Sequence, residues 1–159
     1  MPIVWNDTLN TGIAVIDSQH RRIVAYINAL EDARLARDKA RVGSVIEQLI
    51  DYTQSHFGFE ESLMEEAGYK FLKPHQKVHE LFIRRVNSFT VRAAKGEDVA
   101  EELQNMLSTW LLNHIAYEDR DYAAAVKRMT DAEEKAQPAP VVQEKRRGLL
   151  RRFFGIGGD

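Results

Sequence analysis

Apolar residues recur at spacings of three and four in four successive segments of this chain, and all five histidines fall on those stripes. A helix is the element with that period, so the pattern predicts four amphipathic helices and almost no strand. After an irregular arm of residues 1 to about 16, Asp17 or Ser18 is placed to cap a helix running to about Arg37. Its stripe is Ile16, His20, Ile23, Ile27 and Leu30. A second helix from about Ala40 carries Val45, Leu49, Tyr52, Thr53, His56 and Glu60 on one face, and Gly68 stops it where a left-handed cap is wanted. Pro74 suits the first turn of a third, with His75, Val78, His79, Phe82, Val86 and Phe89 inward and Gly96 at its end. Asp98 followed by Glu101 has the spacing of a capping box, opening a fourth helix with Leu103, Met106, Trp110, His114 and Tyr117 inward. Short connections make sequential helices antiparallel, so the expected fold is all-α, an up-down-up-down four-helix bundle.

The chain of 159 residues is long enough for one such domain and an extension. The expected division is a bundle over residues 1–130, then a linker and tail over 131–159. Pro138 and Pro140 give the linker its composition. Beyond them, Lys145, Arg146, Arg147, Arg151 and Arg152 mix with Leu149, Leu150, Phe153 and Phe154. This tail is expected to be a disordered extension. Its alternative role is contact with an anionic membrane or an acidic protein.

Lys and Arg total 22 against 24 Asp and Glu, and this net charge of −2 gives no case for nucleic-acid binding. The absence of cysteine excludes disulfides, thiolate metal sites and a cysteine nucleophile. The start of the chain lacks the pattern of a secretory signal, and no segment is long and apolar enough to span a bilayer. The expected location is the cytoplasm.

One inward histidine is ordinarily a hydrogen-bonded core residue. Five converging inside one small bundle would leave many buried polar atoms to satisfy, and a bound metal satisfies them together. His56 with Glu60, and His75 with His79, are each four apart, which stacks two donors about 6 Å apart on one helical face. His114 and Asp119 are less regular. Five residues advance a helix by roughly 500°, leaving Asp119 about 140° around from His114 unless a π-type bulge intervenes. Glu118, four residues on, is the easier ligand geometrically, and spacing alone leaves both open.

These residues stand in a wider pattern: Val4-Trp5-Asn6-Asp7, Gly12-Ile13, Ile16 through His20, His56-Phe57, Glu60 through Met64, Gly68-Tyr69, His75, His79, Trp110-Leu111, His114-Ile115 and Asp119. In this the chain resembles the hemerythrin family, its bacterial members in particular, over residues 1 to about 128. The resemblance implies a non-haem di-iron centre with an oxo or hydroxo bridge. It implies His75, His79 and His114 on one iron, His20 and His56 on the other, and Glu60 and Asp119 bridging, so it favours Asp119 over Glu118. With the bridges counted, the three-histidine iron has six ligands and the two-histidine iron five. The open position is where the family takes up dioxygen end-on as hydroperoxide. Leu111 and Ile115 match apolar pocket residues of the family, Phe57 and Trp110 are expected to complete the wall, and Trp5 is expected to pack the arm over one end of the bundle.

The function so implied is reversible dioxygen binding, as a carrier (oxygen transport), store or sensor, and not an enzyme. Two alternatives use the same scaffold. One is a di-iron redox enzyme: a peroxidase, a ferroxidase or a nitric-oxide reductase. The other is an oxygen-sensing adaptor acting through the tail.

Overall fold

A computed structural model describes residues 2–136. The tail residues of the alternative membrane or acidic-protein contact, Lys145 to Phe154, lie outside the described residues. The described residues form helices and contain no strand. A 3-10 turn at Asp7–Leu9 precedes α1 (Ala14–Leu35), α2 (Lys39–Glu66), α3 (Leu72–Ala94) and α4 (Ala100–Asn113). A π-helical segment, His114–Asp119, joins α4 to α5 (Arg120–Ala136), so the fourth helix of the bundle is one rod with a wide turn in it. The rod continues past the expected boundary at residue 130 to Ala136. α1 packs on α2 and α4, and α2 packs on α3, as the short connections require.

The stripes meet in one main apolar cluster that includes Ile23, Ile27, Leu30, Leu49, Phe82, Val86, Leu103 and Leu107. A smaller cluster of Met64, Tyr122 and Val126 closes the far side of the histidines. Gly68 and Gly96 follow α2 and α3 with φ of +62° and +89°, the left-handed conformation expected of a helix-ending glycine.

Three local expectations are corrected. α1 starts at Ala14, and Asp17 is inside it, not at its cap. The buried Asp17 carboxylate reaches back to the arm, accepting from Thr11 N–H at 2.6 Å, Thr11 Oγ1 at 2.8 Å and Gly12 N–H at 3.2 Å. The Asp98–Glu101 capping box is absent. Val99 is the N-cap without a side-chain cap bond, Asp98 accepts only from Ala100 N–H, and Glu101 pairs with Arg34. Burying Val99 in the main cluster takes the cap position from Asp98. The third is Trp5, which lies along α1 beside His20, its ring centroid 6.4 Å away, instead of over one end of the bundle. Reciprocal bonds between Ile3 and Asn28 hold the arm in that place.

Asp17→Ala should cost about 1.5–3 kcal/mol of stability, the usual value of hydrogen bonds to a charged acceptor. Urea denaturation of the variant beside the parent measures it.

Candidate metal centre

All seven side chains expected as ligands converge at the middle of the bundle, and each is buried. α1 supplies His20, α2 supplies His56 and Glu60, α3 supplies His75 and His79, and the π segment supplies His114 and Asp119. The π turn places the two acidic candidates on different sides of the helix. By taking in one extra residue per turn, it brings Asp119 beneath His114, with Oδ1 3.0 Å from His114 Nε2. Glu118 is displaced outward and accepts from His114 Nδ1 instead. The same shift overturns the inward placement of Tyr117, which is 74% exposed, while Tyr122 and Val126 take the inner face.

Each carboxylate divides its oxygens between two groups of imidazoles. Glu60 Oε1 is 3.6 Å from His20 Nε2 and 3.5 Å from His56 Nε2. Its Oε2 is 3.4 Å from His79 Nε2 and 3.9 Å from His114 Nε2. Asp119 Oδ2 is 3.2 Å from His20 Nε2, and its Oδ1 faces His114 and, at 3.8 Å, His75 Nε2. Donor atoms of Glu60, His75, His79 and His114 form one compact set, those of His20, His56 and Glu60 a second.

Hydrogen bonding on the outer edges of the rings fixes what the inner edges offer. His56 Nδ1 donates to Gln19 Oε1 and His79 Nδ1 to Glu61 Oε1, both at 2.8 Å, and His114 Nδ1 donates to Glu118. A proton on Nδ1 leaves a lone pair on Nε2. His79 Nε2 and His114 Nε2 approach to 3.2 Å, so both ring nitrogens face one position. His20 Nε2, His56 Nε2, His75 Nε2, Glu60 Oε2 and both Asp119 oxygens find no hydrogen-bond partner among the described residues. Such buried atoms cost about 1–3 kcal/mol each when unpaired, and cations between them satisfy the whole set. Imidazole and carboxylate are donors suited to iron. The residues fit a two-metal centre.

The electrostatics divide the histidines: burial opposes charge on His114, but Asp119, Glu118 and Glu60 overcome it and hold its pKa well above the usual imidazole value, so a bound metal would displace a proton there. Burial opposes charge on His20, but Asp119 and Glu60 overcome it and raise its pKa to about 9. Burial lowers His56 and His75 to about 4, favouring the neutral ligand form. Burial would also raise Glu60, but the surrounding imidazoles hold it well below the usual carboxylate range and so keep it anionic. Tyr122 O–H donates to Glu60 Oε1 at 2.6 Å, and burial beside that carboxylate pushes the phenol above its ordinary value. Tyr122→Phe should therefore cost about 1–3 kcal/mol in metal-free protein, read by urea denaturation, because it leaves a buried carboxylate oxygen short of a donor.

The family model for the hemerythrin HHE cation-binding domain matches residues 11–126. The chain belongs to the hemerythrin family. Hemerythrins typically bind oxygen at a di-iron site, and the histidine and carboxylate cluster described above suits such a centre. The chain is 49% identical over 158 residues to a bacteriohemerythrin of Pseudomonas paraeruginosa, covering 96% of this chain and 98% of that one. A bacteriohemerythrin of Stenotrophomonas maltophilia is 48% identical over the same shares of the two chains. A crystal structure of wild-type hemerythrin superposes with a TM-score of 0.75 at 25% identity, over 79% of this chain and 98% of that one.

The four residues expected around an oxygen pocket all lie in or against the main cluster. Leu111 and Ile115 are fully buried in the main cluster. Phe57 stacks on His79 at a centroid distance of 3.7 Å, and Trp110 stacks on His114 at 4.3 Å, so both cover the three-histidine side. Trp5 is the aromatic beside His20. Sequence reasoning missed Gln19, Glu61, Glu118 and Tyr122 as partners of the ligands. Glu118 carried a signal in its i+4 spacing from His114, as did the adjacency of Gln19 to His20 and of Glu61 to Glu60. Tyr122 carried none, because its inward direction depends on the π turn.

Proposed function

We propose that this hemerythrin binds dioxygen reversibly, as a carrier, store or sensor, at a di-iron centre held by His20, His56, Glu60, His75, His79, His114 and Asp119. The observation that carries the reading is the division of the Glu60 and Asp119 oxygens between the two histidine groups. That is the arrangement two bridging carboxylates require. Two ferrous ions held there would supply the two electrons that reversible dioxygen binding uses.

The protein's own part follows from its donor counts. His75, His79 and His114 with two carboxylates give one side five donors. His20 and His56 with the same carboxylates give the other four, leaving more room for an exogenous ligand there. Leu111 and Ile115 are the pocket residues that the family resemblance implies, Trp5 lies beside His20, and Phe57 and Trp110 shield the three-histidine side. Excluding water and stray protons from bound oxygen is what keeps its uptake reversible.

His79→Ala removes one arm of a chelating pair and its expected result is loss of iron, measured by elemental analysis, relative to two irons per chain in the parent. Retention of both irons would show this ligand set to be wrong. Oxygen uptake by the reduced parent, followed with an oxygen electrode, should reach one dioxygen per two irons and reverse when oxygen is removed. Continued consumption would favour a redox enzyme.

A further inference from the structure

The outer hydrogen bonds of the histidines differ between the two sides of the centre. On the three-histidine side, His79 donates to the Glu61 carboxylate and His114 to the Glu118 carboxylate. On the two-histidine side, His56 donates to the neutral amide oxygen of Gln19, and His20 Nδ1 is buried with no hydrogen-bond partner among the described residues. Both carboxylates stand at the protein surface. Glu61 lines a cleft of about 590 Å³ between α2 and α3, with its side chain 27% exposed. Its second oxygen accepts from Gln76 Nε2 at 3.1 Å, which fixes it against His79. Glu118 lines a separate cleft of about 530 Å³, shared with His75 and Tyr117.

An anionic acceptor on Nδ1–H pushes electron density into the imidazole and makes Nε2 a stronger donor, whereas an amide does so weakly. We infer that Glu61 and Glu118 are positioning residues that strengthen His79 and His114 as donors, making the three-histidine subsite the tighter and first-filled of the two, with Gln19 leaving the other the weaker. This rests on the di-iron reading above and assigns an order of filling within it. Three histidines against two favour the same order, so the test must separate the outer carboxylates from the ligand count. Glu61→Gln does so, since glutamine keeps an oxygen acceptor for His79 while the charge is removed, its amide N–H replacing only the oxygen that Gln76 Nε2 meets in the parent.

The experiment is a stepwise titration of the full metal-free chain with cobalt(II) against a competing chelator, followed by visible absorption. The parent should fill in two resolved steps, with His79→Ala abolishing the tight one and His56→Ala the weak one. Glu61→Gln and Glu118→Gln should each weaken the tight step about 10- to 100-fold, the usual effect of losing a ligand's outer partner, and leave the weak step within about threefold. Gln19→Glu should tighten the weak step and narrow the gap. Tight binding unchanged in both carboxylate variants, or both steps weakened alike, overturns the inference while leaving two metals in place. A parent that takes up no cobalt overturns the di-iron reading as well.

Discussion

Replacing Glu60 by alanine is expected to empty both metal subsites at once. Glu60 is fully buried, and it is the residue common to both compact donor sets. One oxygen faces His20 and His56, the other His79 and His114. Losing only an outer partner of a ligand costs about 10- to 100-fold in metal affinity, so losing a shared ligand should exceed about 100-fold on each side. Iron analysis of the purified variant should fall from two per chain toward none. His20→Ala should behave differently, because the compact set of Glu60, His75, His79 and His114 does not include it. A Glu60→Ala protein that retains one iron would mean that the carboxylate does not bridge.

Leu111→Ala is expected to separate oxygen chemistry from metal loading. Leu111 is fully buried in the main cluster, one turn before His114, and donates nothing to a metal. Truncating a core leucine typically costs about 2–5 kcal/mol, so a clear drop in the urea midpoint is expected. Iron content should stay at two per chain. The oxygenated form should oxidise faster than the parent's, since a shortened apolar wall leaves bound oxygen less shielded from solvent. Stopped mixing with air and the decay of visible absorbance would measure it. An unchanged decay rate in a variant with the expected stability loss would take Leu111 out of the pocket.

The fold was legible because its information is local. Period, glycine stops at Gly68 and Gly96, and short connections are written in neighbouring residues, and they fix four helices and their order. The histidines were legible for the same reason: each sits on a stripe whose direction is set within one or two turns. What the sequence left open depends on contacts across the bundle. The different placements of Glu118 and Asp119 come from a π segment, which widens the helix where His114 and Asp119 both point inward. Regular helical spacing therefore misplaced Tyr117 and hid Tyr122. Asp17 and Asp98 read as caps, yet Asp17 is recruited by the arm at Thr11, and Asp98 yields the cap to the buried Val99. Glu61 and Gln19 are adjacent to ligands in sequence, but their direction toward His79 and His56 is tertiary.

The central claim is tested most directly by the visible absorption of iron-loaded, reduced protein, recorded before air, after air and after return to argon. The account predicts colour that appears with air and fades under argon, over repeated cycles, at two irons per chain. Colour that never appears in protein carrying both irons, or that passes once into a stable ferric spectrum and does not return, would contradict it.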